Sequence, residues 1–165
     1  MMISEKMNKA LNEQITAEFA AMHTYLAMAC RFDEMGLKIL SKRFEGQSEE
    51  ERGHAMKIVR YVLEVGGSIS LEAIPEPEDK FKDVKSIVRA ALEAERDITE
   101  RINRLMALAE SEKDYATRSV LQWFVDEQVE EVSSMTDLLA LVEMAGDNVL
   151  LVETRVRHEM MSRGS

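Results

Sequence analysis

The sequence predicts an all-α protein: a four-helix bundle with one long crossover between its second and third helices and a short fifth helix near the C-terminus. Three observations lead there. Apolar residues recur at three- and four-residue steps along four long segments, and no strand-like alternation competes with them. Gly and Pro are scarce, at 7 and 2 of 165 residues, and both prolines fall in one stretch between the second and third segments. Aromatics make up only 5% while Met reaches 12 residues, a profile that favours helices over strands. A chain of this length can form one core without staples, so residues 1–165 are expected to be a single domain.

The elements follow in order. Ser4 is a suitable N-cap for a first helix that runs to about Glu34, where Met35-Gly36 ends it. The second runs from about Lys38 to Val65 and stops at Gly66-Gly67. Residues 68–83, with Pro75-Glu76-Pro77, form the crossover. The third helix spans about Val84 to Glu110. A turn near Glu112-Lys113-Asp114 leads to the fourth, which ends at Ala145-Gly146. Asp147 or Asn148 caps a fifth from about Val149 to Met161, whose Val149, Leu150, Val152 and Val156 need a surface to cover them. Short loops join antiparallel neighbours, whereas the long crossover lets helices two and three run parallel.

Composition narrows the function. The net charge of −10 argues against nucleic acid, whose phosphates need a basic face, and suits a cationic partner. No apolar run approaches the length of a membrane span, and Met1-Met2-Ile3-Ser4-Glu5 lacks the plan of a signal peptide. A lone cysteine, Cys30, rules out an internal disulfide or a C-x-x-C knuckle and points to a cytoplasmic setting; it is expected to be a small packing residue. His23 and His158 are expected on the surface, and the final Arg163-Gly164-Ser165 carries no weight.

The heptad seams carry the chemistry. They read Leu11, Ile15, Glu18, Met22, Tyr25 and Ala29 on helix one. On helix two they read Leu40, Phe44, Gln47, Glu51, His54, Ile58, Tyr61 and Val65. On helix three they read Val84, Val88, Ala91, Glu95, Ile98, Ile102 and Leu105, and on helix four Leu121, Phe124, Gln128, Glu131, Met135, Leu138 and Val142. Each apolar stripe is interrupted by acid near its midpoint. Glu18, Glu51, Glu95 and Gln128 sit near the helix midpoints, with the fourth carboxylate, Glu131, one turn beyond Gln128. From Glu18 to Gln128 the successive spacings are 33, 44 and 33 residues, so the bundle brings them to one height. Four buried carboxylates repel one another and resist desolvation, and cations resolve both costs. Glu51-x-x-His54 places an imidazole on the same face, which suits iron, manganese or zinc.

The motifs Leu11-Asn12-Glu13-Gln14-Ile15 with Glu18, Glu50-Glu51-Arg52-Gly53-His54-Ala55-Met56, Glu95-Arg96-Asp97-Ile98-Thr99 and Leu121-Gln122-Trp123-Phe124-Val125-Asp126-Glu127-Gln128-Val129-Glu130-Glu131 resemble the ferritins over about residues 3–160, specifically the haem-free bacterial and archaeal ones. The resemblance implies a ferritin-like fold and a di-iron ferroxidase centre. One iron would take Glu18, Glu51 and His54, and the other Glu51, Glu95 and Glu131, with Gln128 beside the pair. Glu50, Glu127 and Glu130 match a third, outer iron site, and Tyr25 and Trp123 match aromatics thought to supply electrons. The implied activity is oxidation of Fe(II) by dioxygen or peroxide, with ferric mineral stored inside a homo-oligomeric cage of 24 subunits. A non-storage di-iron oxidase or peroxidase is the alternative, and a purely structural helical bundle the rival from another class.

Departures sharpen the expectation. Bacterioferritins carry a second E-x-x-H on helix four, where this chain has Glu127-x-x-Glu130 and Gln128-x-x-Glu131. They carry a haem-ligating Met after the helix-two Glu, where this chain has Arg52, so no haem is expected. Arg118 and Leu121 replace the acids that line the iron pore of animal ferritins. Gly53 inside helix two costs about 1 kcal/mol against Ala, and a close helix approach would account for it.

Overall fold

The computed structural model describes residues 2–164; Met1 of the N-terminal stretch and Ser165 of the final tripeptide lie outside the described residues. The described residues form five helices and no strand: α1 Glu5–Glu34, α2 Lys38–Glu64, α3 Val84–Glu112, α4 Tyr115–Ala145 and α5 Val149–Arg163. Each expected helix is present, with its ends within about two residues; Asn148 stands at the N-cap of α5, but neither it nor Asp147 makes a side-chain capping bond there. Ser4 accepts from the Met7 amide, and Asp114 accepts from Thr117. Asp83 forms a reciprocal capping box with Ser86. Gly36 and Gly66 take positive φ at the ends of α1 and α2. After α2, the Gly66 and Gly67 amides bond back to Leu63 and Val62, closing a Schellman turn.

Packing sets the helix directions. One apolar cluster gathers Phe32 at the end of α1, Leu40 at the start of α2, Val84 at the start of α3 and Val142 near the end of α4. The other gathers Met7, Val62, Ala109 and Leu121, each from the opposite end of its helix. α1 and α4 therefore run one way and α2 and α3 the other, as the long crossover demands. α1 pairs chiefly with α2, and α3 with α4. Among the seam residues, Met22 and Gln47 are only half-buried, and the others are buried.

The crossover is tied down at its start. Asn12 donates to the Ser68 carbonyl at 2.8 Å and accepts from the Ser70 amide at 2.7 Å, while Asn8 accepts from the Ser68 amide. At its far end Phe81 enters the first cluster.

α5 departs from expectation in what it buries. Val152 and Val156 insert into the bundle's own core, which leaves Leu150 and Leu151 exposed. The Glu153 carboxylate reaches the start of α2, accepting from the Ile39 and Leu40 amides at 3.1 and 2.7 Å. That end has no side-chain cap of its own, so a distant acid supplies one where the helix dipole favours it.

Two further expectations need correction. Cys30 is exposed, since it lies on the outer face of α1. A Cβ added at Gly53 would meet nothing within 4 Å, so no close helix approach within the chain explains that glycine. His23 and His158 are exposed, as expected.

Candidate metal centre

The two apolar clusters do not merge. Between them lies a polar layer of Glu18, Glu51, His54, Glu95, Gln128 and Glu131, each at most 5% exposed. Each residue occupies a core position of its helix, so burial is imposed by the helical repeat and not by a loop.

Ligand atoms gather there into small groups. Glu18, Glu51 and His54 bring their ligand atoms within 4.8 Å of one another, and so do Glu51, Glu95 and Glu131. These are the two sets expected of a di-iron centre, with Glu51 common to both. A third group joins His54, Glu127 and Glu131. The outer trio is not drawn together in the same way. Glu50 and Glu130 are exposed, and Glu127 turns inward until its Oε1 lies 3.8 Å from His54 Nε2. All three line one cleft of about 590 Å³ between α2 and α4, with Gln47 and Glu131.

Hydrogen bonds orient the carboxylates. Gln14 donates to Glu18 Oε1 at 2.8 Å. Gln47 donates to Glu51 Oε1 at 2.9 Å and Glu131 Oε2 at 2.8 Å, joining α2 to α4. The Tyr25 hydroxyl donates to Glu95 Oε1. Gln128 Nε2 donates to Glu95 Oε2 at 3.1 Å and Thr99 Oγ1 at 3.2 Å. His54 Nδ1 lies 3.2 Å from Glu51 Oε2 and 3.8 Å from Glu18 Oε2. Glu18 Oε2 is the one buried side-chain polar atom among the described residues without a hydrogen-bond partner. A buried carboxylate oxygen left without a donor is costly, and a cation beside it removes that cost.

The layer's electrostatics fit the same reading. Burial, then the neighbouring Glu51 charge, pushes Glu18 well above the usual carboxylate range. Burial and the Glu51 charge raise Glu95 to about 7, while burial and the Glu95 and Glu51 charges raise Glu131 to about 9. Burial alone would raise Glu51 too, but the hydrogen bond and charge of His54 outweigh it and hold Glu51 low. His54 is raised because its Glu51 contacts overcome the opposing effect of burial. Without metal, the layer holds protons in place of cations.

Around the centre, Trp123 meets the His54 ring edge-on at 5.5 Å and carries Lys57 over its face at 4.0 Å. Sequence reasoning had given no role to Gln14, or to Gln47 beyond its seam position, although each lies four residues before a core glutamate. On a helix that spacing brings an amide to its carboxylate, so the signal was present.

A bundle split by a layer of four carboxylates and one imidazole is of a class whose core can hold cations. The particular family follows from comparison with known proteins. The ferritin-like domain model matches residues 8–145. Ferritin BfrB of Mycolicibacterium smegmatis is 36% identical over 163 residues, covering 99% of this chain and 90% of its own length. The bacterial non-heme ferritin of Staphylococcus haemolyticus is 36% identical over 147 residues, 89% of each chain. An open pore ferritin from the hyperthermophilic archaeon Archaeoglobus fulgidus superposes with a TM-score of 0.92 at 39% identity, covering 94% of this chain and 96% of its own. The chain belongs to the ferritin family.

Proposed function

We propose that this chain is an iron-storage subunit that oxidises Fe(II) in its polar layer and deposits the ferric product inside a cage of its own copies. One observation carries the reading: two ligand groups share Glu51, and Glu18 Oε2, buried without a hydrogen-bond partner, belongs to the first of them.

Fe(II) is the substrate. Glu18, Glu51 and His54 take one ion, and Glu51, Glu95 and Glu131 take the other, with Glu51 bridging. Binding displaces the protons that the raised carboxyls hold. Each iron gives up one electron. The pair of electrons, with two protons, converts dioxygen to hydrogen peroxide, or hydrogen peroxide to two waters. Hard anionic oxygens favour the higher charge of Fe(III), which drives the step. Tyr25 and Gln128 hold Glu95 in orientation, and Gln47 spans Glu51 and Glu131.

Glu127, Glu50 and Glu130 form the outward path, in which Glu127 beside His54 is the first acceptor and the cleft leads on. The ferric ions hydrolyse and mineralise in the interior. No haem takes part, because Arg52 offers no axial ligand. The subunit works in the cytoplasm as a homo-oligomer of 24 copies, without nucleic acid or membrane; among the described residues no helix is long and apolar enough to cross one.

Aerobic addition of Fe(II), followed by sizing and iron counting, tests the reading. The expected result is rapid oxidation and a large particle that retains many irons per subunit. Oxidation by a small particle that retains about two would favour the non-storage di-iron oxidase instead.

A further inference from the structure

We infer that the groove between α3 and α4 is a binding site for dioxygen that feeds the Glu95 side of the metal centre. The inference rests on the proposed iron-oxidising role of that centre.

The groove holds about 460 Å³. Its walls are Ile102, Val125, Val129 and Val132 with Asn103 and Ser133, and Thr99 and Gln128 lie on its Glu95 side. Both of the latter touch Glu95: Gln128 Nε2 lies 3.1 Å from its Oε2, and Thr99 Oγ1 donates to its carbonyl at 2.8 Å. A single side chain therefore separates an apolar groove from a candidate iron ligand. The other approaches differ in chemistry. The cleft between α2 and α4 carries five acids, Glu50, Glu127, Glu130, Glu131 and Asp137, with Lys42, Arg43 and Arg163. The groove between α1 and α3, which reaches Glu18 through Gln14, is rimmed by Lys6, Glu13, Arg101 and Arg104.

Polarity assigns the traffic. A divalent cation is strongly hydrated and follows carboxylates. Dioxygen has no charge and accepts hydrogen bonds poorly, so it leaves water for apolar surface. Apolar cavities in proteins take up gases and small apolar guests for the same reason. The two substrates then reach the centre from different faces, and neither has to displace the other. Hydrogen peroxide, which is polar, is left to the acidic cleft.

Two measurements test the site in the assembled, full-length protein. Crystals pressurised with xenon, an apolar probe of similar size, should show it among Ile102, Val125, Val129 and Val132. Xenon bound elsewhere but not there, or a neighbouring subunit's side chain filling the groove, would overturn the assignment. The second measurement is the dioxygen dependence of Fe(II) oxidation in Val125→Phe, which fills the groove without touching a carboxylate. Its KM for dioxygen should rise about fivefold while the rate at saturating dioxygen, the rate with hydrogen peroxide and Co(II) affinity stay near wild type. An unchanged KM sinks the route. If Val125→Phe fails to fold, Val129→Phe at the exposed lip takes its place. Failure of the underlying reading looks different: wild type itself would not oxidise Fe(II) with dioxygen.

Discussion

Glu95 shows how one residue ties charge and proton to the candidate metal centre. It accepts from Tyr25 and Gln128, it is 1% exposed, and burial beside Glu51 raises it to about 7. Glu95→Gln keeps the volume and removes a buried charge. Gln128 can meet the new amide by turning its own oxygen toward it. The metal-free variant is expected to melt at the same temperature as wild type or higher at pH 8, because losing an uncompensated buried charge relieves repulsion. Fe(II) oxidation should fall at least about tenfold, or about 1.4 kcal/mol of barrier. Calorimetry paired with oxidation kinetics checks both; a wild-type rate would show that Glu95 is no ligand. The same chemistry sets a pH dependence. Carboxyls raised on folding hold more protons folded than unfolded, so their effect makes stability fall as pH rises from 4.5, their ordinary value, through about 7 for Glu95 and about 9 for Glu131. Glu18 and His54, also raised, act in the same direction. Glu51, held low, has its window below 4.5 and does not oppose them near neutrality. Metal-free protein should therefore melt higher at pH 6 than at pH 9, and a higher melting temperature at pH 9 would contradict the raised carboxyls.

At the scale of elements, helix ends and seams were legible because their signals lie within a few residues of one another. Ser4, Asp83 and Asp114 cap helices, and Gly36 and Gly66 end them, through contacts within one or two turns. The polar layer was legible because acid in an apolar seam violates the repeat in four helices at one height. What escaped was set by long-range packing. Glu153 caps α2 across 113 residues, Asn12 holds the crossover across 58, and Glu127 turns inward to His54. No local period encodes those meetings. The two glycines of α2 and its end test the point. Gly53 is exposed with nothing within 4 Å of an added Cβ, so Gly53→Ala should stabilise the chain by about 1 kcal/mol. At Gly67 the added carbon would collide with Asn8 Oδ1 and come within 2.8 Å of Val62 Cγ1. Gly67→Ala should then destabilise by about 1–3 kcal/mol, since it overpacks the Schellman turn and pushes away the asparagine that anchors the crossover. Denaturant unfolding of the two variants should give opposite signs; a shared sign would mean that the close approach at Gly67 is not what selects glycine there.

At the scale of the whole molecule, a large like charge opposes the proposed assembly. Each chain carries −10, so copies repel, and the repulsion reaches about 30 Å at 0.01 M salt but about 10 Å at 0.1 M. α5 shows where assembly forces can act. One side is committed internally, with Val152 and Val156 in the core and Glu153 on the α2 amides. The other side presents Leu150 at 72% exposure and Leu151 at 50%, close in sequence to Met144 at 79%. Exposed apolar side chains such as Leu150 and Leu151 on an anchored helix suit contact with other copies. Wild type is expected to dissociate at low salt and to assemble to 24 subunits as salt screens the charge. Replacing Leu150 and Leu151 by Glu adds charge to that face without touching the core or the metal layer. The double variant should keep its helix content and Co(II) binding yet stay small at salt concentrations where wild type assembles. Light scattering across a salt series reads the result. Wild type that remains a monomer or dimer at moderate salt would contradict the cage itself, whereas a double variant that assembles like wild type would move the contact away from α5 and leave the cage intact.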